Sequence, residues 1–228
     1  MTDLHLADEG EAADLAAFLS RLLHYDRSAA VRLQAAGTAL AVFGRPPSFE
    51  VLAVRTARLA KPYENGPDAT LDVTVSAGEL LETVDESAAT TGVPGAVTGP
   101  PWAGMLPPRG GWRPEPGLPA PDALRALVAA AVAEFRSRTA ELAPERRTRT
   151  ELDRIGGEIW SRTVGDTGLP VRAVHAAQSL GFLRTPGGLD ADTPKLFSSG
   201  AWLRLRTPYG SVALRRAGAA GALGISVR

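Results

Sequence analysis

Hydrophobic side chains recur with two different periods in residues 1–93. In residues 11–25 they follow helical spacing, at Leu15, Phe18, Leu19 and Leu22, which predicts an amphipathic helix with one apolar face. Runs that alternate between apolar and polar residues, or are continuously apolar, predict four strands. These strands are predicted at 31–35, 39–43, 49–59 and 70–76. Their short connections favour an antiparallel meander.

Ser76 and Glu79 have the spacing of a capping box, in which each side chain bonds the other residue's backbone amide at the start of a helix. A short helix is therefore predicted directly after the fourth strand. Residues 1–93 are predicted to form an α+β unit, in which helices flank a four-stranded antiparallel meander.

Helical spacing returns in the C-terminal part of the chain. It predicts three helices, at 123–142, 151–162 and 170–180. Two alternating runs, at 201–206 and 211–216, then flank the turn sequence Thr-Pro-Tyr-Gly, which predicts a hairpin preceded by a shorter strand at 195–197. Residues 122–228 are predicted to form a helical unit that ends in a basic hairpin.

The segment between these two units, residues 94–121, is called the strap here. It holds nine of the 18 prolines and six of the 24 glycines, together with Trp102 and Trp112. Such proline and glycine density is typical of linkers. The two tryptophans instead favour an ordered, extended strap that lies on apolar surface, with both rings at least partly buried. The alternative is that Trp102 and Trp112 form an exposed strip for a partner.

Composition excludes several classes of chemistry and indicates a cytoplasmic location and a bacterial source. With no cysteine, the chain has no disulfide, thiolate nucleophile or thiolate metal site. The acidic start lacks the features of a secretory signal, and no stretch is apolar enough to span a bilayer, so a cytoplasmic protein without membrane contact is expected. The excess of arginine over lysine, 23 to 2, is typical of a GC-rich bacterial genome.

Charge is divided unevenly between the two ends of the chain. Residues 1–100 carry 14 acidic and seven basic side chains, whereas residues 101–228 carry 11 and 18. The two halves are therefore expected to attract each other, either within one chain or between two copies. The alternative interpretation is a partner with an acidic surface, including nucleic acid.

Motifs for catalysis, metals and cofactors are missing from the sequence. His175 has the right chemistry to form a triad with Ser161 or Ser179 and Asp153, but no nucleophile-elbow motif accompanies it. Metal-binding histidine spacings and glycine-rich phosphate loops are absent too. No catalytic residue, cofactor or metal is therefore predicted.

The order of the last two helices and the hairpin resembles a winged-helix arrangement, in which the later helix enters the major groove and the hairpin contacts phosphate. On the later helix, Arg172, His175 and Gln178 are spaced so that they share one side, and in the hairpin Trp202, Arg204 and Arg206 alternate with Leu203 and Leu205. Side chains on these elements are predicted to contact nucleic acid or another partner, with the arginines paired to phosphate. They are Arg172, His175, Gln178, Trp202, Arg204, Arg206, Arg215 and Arg216.

These patterns favour a non-enzymatic bacterial interaction or regulatory protein in the cytosol. Its predicted partner is a protein or a second copy of itself in a homodimer. Two alternatives remain open from the sequence: a DNA-binding protein that uses the winged-helix-like C-terminal unit, and an enzyme with a site assembled around His175.

Overall fold

The hydrophobic patterns of the chain produce a mixed architecture of helices and antiparallel sheets. The computed structural model describes residues 2–63, 70–184 and 193–216, which form ten strands and five α-helices. The strands are β1 Thr2–His5, β2 Ala30–Ala36, β3 Ala39–Gly44, β4 Leu52–Arg58, β5 Leu71–Ser76, β6 Thr90–Val93, β7 Arg113–Glu115, β8 Lys195–Ser199, β9 Trp202–Thr207 and β10 Gly210–Arg215. The helices are α1 Glu9–Tyr25, α2 Ala77–Glu82, α3 Pro121–Ala140, α4 Arg149–Trp160 and α5 Val171–Ser179.

Side chains next to the helix starts fix where several of these helices begin. Asp8 accepts a hydrogen bond from the Glu11 amide at 2.9 Å and starts α1. Ser76 accepts from the Glu79 amide at 3.4 Å, which gives the forward half of the predicted capping box. Each of these bonds satisfies an amide that has no partner inside its helix.

Eight strands form one antiparallel sheet in the order β5-β2-β3-β4-β10-β9-β8-β7, and β1 pairs with β6 in a separate two-stranded sheet. The four predicted N-terminal strands are present, but their order corrects the predicted meander. Strand β5 pairs with β2 instead of β4, as in a Greek key. The outer edge of β4 is taken by β10, so a single sheet includes strands from both ends of the chain.

The predicted β9–β10 hairpin forms, and it lies inside this sheet. Val212 of β10 is opposite Ala53 of β4 on one side and Leu205 of β9 on the other. Strand β9 pairs in turn with β8. Both edges of the hairpin are occupied, so it is not a free wing, and the predicted winged-helix arrangement is not confirmed.

The eight-stranded sheet has two different faces because successive side chains of a strand point to opposite sides. The face that carries Leu33, Val42, Ala53, Leu205 and Val212 forms the hydrophobic core with α1 and α5, and is called the helical face here. The other face is called the open face. In register along it lie Arg32, Phe43, Val54, Ser211 and Arg206.

The strap crosses the open face and forms hydrogen bonds with three strands of the sheet. The Val97 amide donates to the Thr74 carbonyl of β5 at 2.9 Å, and Arg32 of β2 donates to the Ala103 carbonyl. Farther along, the Ser199 hydroxyl of β8 donates to the Gly110 carbonyl at 3.3 Å, and the strap then continues into β7. Trp102 and Trp112 are both half-buried, which confirms the predicted partial burial.

Gly210 provides a test of the packing between β10 and the segment that follows α5. A Cβ atom at this position would lie 2.6 Å from Phe182 Cε1 and 2.7 Å from Cζ, and Phe182 is itself buried. We expect Gly210→Ala to lower the free energy of unfolding by about 1–3 kcal/mol, as measured by urea denaturation. The control is Gly157→Ala on α4, where no atom lies within 4 Å of the added Cβ. Wild-type stability in Gly210→Ala would contradict this packing.

Candidate binding groove on the open face of the sheet

The predicted contact residues on α5 lie on the side of the sheet that carries the helical face. Arg172 is half-buried, and its Nη2 atom is 3.5 Å from Glu50 Oε2. His175 is also half-buried, whereas Gln178 is exposed. Helix α5 packs against β10 through buried small side chains such as Ala173 and Ala177, so it does not present a free surface as a whole.

The His175 ring lies between two aromatic rings. Its centroid is 4.7 Å from that of Trp160, in a stacked arrangement, and 5.1 Å from that of Phe49, edge to face. The Ser161 hydroxyl donates to the Gly157 carbonyl, and exposed Asp153 lies 3.6 Å from Arg149. Within the described ranges, no hydroxyl or carboxylate is hydrogen-bonded to His175. This includes Ser179, which lies one turn farther along α5, so the triad weighed from the sequence is not formed.

Burial lowers the pKa of His175 below its usual range, because loss of contact with water disfavours the charged imidazolium. The unfolded chain therefore takes up a proton at a higher pH than the folded chain does. The free energy of unfolding is expected to fall as the pH drops through the ordinary histidine pKa, about 6.5, toward the lower folded value. Denaturation at neutral and mildly acidic pH will show a smaller drop in His175→Phe. An equal drop in variant and wild type would remove His175 as the cause.

The predicted residues of the hairpin lie on the opposite side of the sheet. Trp202, Arg204 and Arg206 alternate with the core residues Leu203 and Leu205, which places the first three on the open face. Arg215, opposite Trp202, shares that face and is exposed.

Arg216 instead forms an ion pair with Glu115 of β7. A hydrogen bond from Ser198 and this ion pair lower the pKa of Glu115. The sheet thus separates the α5 residues from Trp202, Arg204, Arg206 and Arg215, and one surface does not include the whole predicted set.

Arg204 is the half-buried arginine of the open-face group, whereas Arg206 and Arg215 are exposed. Its Nε atom donates to the buried Ser211 hydroxyl at 2.9 Å, and its guanidinium carbon is 5.7 Å from the centroid of the Trp112 ring. Burial, followed by the charge of Arg206, lowers the pKa of Arg204. No carboxylate of the described residues pairs with Arg204, so a positive charge is held partly away from water without an acidic neighbour.

Two cavities lie between the strap and the open face, and Arg204 borders both. The two cavities together are called the groove here. The first has a volume of about 560 Å³, and the second about 390 Å³. Thr56 and Arg204 line both. The first is also lined by Trp112, Phe197, Arg206 and Ser211, and the second by Gln34, Phe43, Asp72, Leu106 and Arg109.

The acid in the groove lining already has a basic partner. Arg32 Nε is 2.6 Å from Asp72 Oδ1, and Gln34 donates to Asp72 Oδ2 at 3.0 Å. The hydrogen bond from Arg32 is the main reason that the pKa of Asp72 is lowered. Asp72 therefore does not neutralise Arg204, and the described lining of the first cavity contains arginines and no carboxylate.

Two sets of residues were not predicted from the sequence. One set completes the groove, and the other forms a charge network on the helical face. Thr56, Phe197 and Ser211 carry no motif, and only the strand register brings them beside Arg204. On the other face, buried Arg55 contacts Glu11 and Asp14 of α1. The spacing of Glu11 and Asp14 on the predicted helix, with Asp8 one turn before it, was the available signal for an acidic stripe.

Comparisons with known proteins match both halves of the chain to families without an assigned role. Residues 1–104 match a family described as a domain of unknown function (DUF8010), and residues 107–219 match a second one with the same description (DUF8185). No curated protein matches the chain. The two matched segments meet within the strap, whereas the eight-stranded sheet takes strands from both.

A crystal structure of the DNA polymerase sliding clamp from Pseudomonas aeruginosa with ligand is similar at a TM-score of 0.45 and 13% identity. The similarity covers 90% of this chain and 62% of the clamp chain, so this chain spans less than two thirds of that structure. A TM-score in this range gives no basis for a shared function. Among the described residues, no helix is long and apolar enough to cross a membrane, and no cluster of three or more histidine or acidic side chains could hold a metal ion.

Proposed function

We propose that this protein is a non-enzymatic interaction protein that binds an acidic, extended segment of a protein partner in the groove. The observation that carries the proposal is the half-buried Arg204, which has no carboxylate neighbour among the described residues and lies between two cavities. A buried charge is costly without a partner, and a ligand carboxylate offsets that cost.

The shape and lining of the groove favour an extended segment over a duplex. Its walls are the strap on one side and the sheet on the other, and aromatic residues from both, Trp112 and Phe197, border the first cavity. Aromatic rings beside arginine are typical of protein interfaces. A duplex bound in the winged-helix manner would require α5 and the hairpin to act on one surface, and here the sheet lies between them.

A second copy of the chain offers another acidic ligand for the groove, carried by a helix and the turn after it and not by an extended segment. Glu79 and Glu82 of α2, with Asp85 and Glu86 that follow it, are all exposed. No described basic side chain forms an ion pair with any of the four. These four acidic residues complement the positive charge of the groove. This complementarity is consistent with self-association in which the groove of one copy binds the acidic surface of another.

The proposal is tested by fluorescence polarisation with three labelled probes: a peptide of alternating glutamate and serine, the same peptide with lysine in place of glutamate, and duplex DNA. We expect the glutamate peptide alone to bind, with an affinity that falls as salt rises. Arg204→Gln should weaken binding by about tenfold, since a hydrogen bond to a charged group contributes about 1.5–3 kcal/mol.

Arg215→Gln is the matched control, because it removes the same charge from an exposed position on the same face. Equal weakening by both variants, or binding of duplex DNA in preference to the glutamate peptide, would overturn the proposal. Light scattering tests self-association by measuring the mass in solution. A mass above 23.8 kDa that Arg204→Gln returns to the monomer value would support the proposal and identify a second copy as the partner.

A further inference from the structure

We propose that Arg204, with the hydroxyl groups of Thr56 and Ser211, forms an oxyanion subsite for a carboxylate or phosphate group carried on a flat apolar body. This inference rests on the proposed function, because it names the chemical group that anchors the partner in the groove. The residues involved belong to three adjacent strands, β4, β10 and β9, and lie on the open face.

The hydrogen-bond donors of Arg204 are only partly used. A guanidinium has five N–H groups in a fixed plane. The bond from Nε to the Ser211 hydroxyl uses one of them and fixes the orientation of that plane. No described residue accepts from the two terminal nitrogens, which therefore remain available as a fork for an oxyanion. Bidentate pairing of this kind is the usual arginine contact with carboxylate and phosphate.

Hydroxyl groups border the same space. Thr56 lines both cavities, and Ser211, which accepts from Arg204, keeps its own proton available to donate. One guanidinium and two hydroxyls from three neighbouring strands therefore line the same cavity. The first cavity contains no described carboxylate that would compete for them.

Aromatic rings define where the body of the ligand lies. The Trp112 indole nitrogen donates to the Pro108 carbonyl at 2.9 Å, which holds the ring in place over Arg204. Phe197 is directly opposite Arg204 in the β8–β9 register and lines the same cavity as Trp112. A flat apolar group between these rings keeps its oxyanion at the guanidinium. The partly dehydrated surroundings strengthen the charge-assisted hydrogen bonds.

Isothermal titration calorimetry on the full chain separates the two sources of the oxyanion. The probes are phenylacetate for the carboxylate, phenyl phosphate for the phosphate, and benzyl alcohol as the uncharged control. We expect at least one anionic probe to bind and benzyl alcohol not to bind. Arg204→Gln should weaken binding at least about tenfold, and Arg215→Gln should not change it. Undiminished binding in Arg204→Gln, or equal binding of benzyl alcohol, would overturn the subsite.

A measurement on the wild-type protein keeps the test valid if Arg204→Gln does not fold. The indole N–H signal of Trp112, identified by its loss in Trp112→Phe, should shift when the binding probe is added. The signal of Trp160, which stacks on His175 on the helical face, should stay in place and serves as the internal control. A Trp112 signal that does not move at saturating probe would count against the subsite.

The two proposals fail in different ways. Glutamate-peptide binding that survives in Arg204→Gln would retain the proposed function and remove the subsite. Probe binding that depends on Arg204, without binding of any acidic peptide, would retain the subsite and remove the protein segment as its partner.

Discussion

Arg55→Met is expected to lower the free energy of unfolding by about 3 kcal/mol, since it breaks a buried ion pair from one side. Arg55 is 5% exposed, and its Nη2 atom lies 2.6 Å from Glu11 Oε2 and 3.3 Å from Asp14 Oδ2. Its Nη1 atom also donates to the Tyr209 carbonyl at 3.1 Å, which joins β4 to the turn of the C-terminal hairpin. The methionine fills the volume but leaves two carboxylates and a carbonyl without this donor.

Arg58→Gln is the matched control for this substitution. Arg58 lies on the same strand and contacts the same Glu11 at 2.9 Å, but its side chain is 70% exposed. Exposed ion pairs contribute about 0.2–1 kcal/mol, so a small change is expected. Urea denaturation of both variants measures the difference, and an Arg55→Met protein no less stable than Arg58→Gln would show that burial does not strengthen the network.

Phe182→Ala is the second substitution with a large expected effect, about 3–5 kcal/mol of lost stability. Phe182 is 2% exposed and stacks on Phe18 of α1 with ring centroids 5.7 Å apart. It also lies against Gly210 of β10. Removing the ring leaves a cavity where the N-terminal helix, the segment after α5 and the last strand meet.

Two further variants identify the cause of the Phe182→Ala effect. Phe197→Ala removes the same ring from a half-buried position in the groove, and a cost of about 1–2 kcal/mol is expected there. In the Phe182→Ala background, Gly210→Ala should lose the part of its cost that comes from the ring and keep the part that comes from the backbone, since the φ of Gly210 is +157°. Additive costs in that double variant would show that Phe182 and Gly210 do not pack against each other as described.

Local patterns in the sequence predicted most of the helices and strands, but they could not predict which strands pair with each other. The alternation of Leu203, Arg204, Leu205 and Arg206 identified β9 and its two faces. The continuously apolar run from Val51 to Val54 is typical of a strand with neighbours on both sides, but it does not say which strand the second neighbour is. The pairing of β4 with β10 depends on residues far apart in the chain, for which spacing gives no signal.

The candidate site was predicted only in part, because local spacing groups residues within one element but does not show how elements pack together. Strand alternation placed Trp202, Arg204 and Arg206 on one face, and the composition of the strap indicated partly buried tryptophans. Helical spacing on α5 grouped Arg172 with His175, but it could not show that α5 lies across the sheet from the arginines of the hairpin. The groove itself requires the strap to cross the open face, a property of the packed chain and not of any single segment.

The pairing of β4 with β10 sets an order of events during synthesis. Strand β4 ends at Arg58 and β10 begins at Gly210, about 150 residues later. At usual rates of translation, the ribosome takes roughly 8 to 30 seconds to add that length. Until then β4 is an edge strand with unpaired backbone groups, and such edges pair readily with other chains. A nascent chain released before residue 210 is therefore expected to aggregate, whereas a chain that includes β10 covers this edge itself.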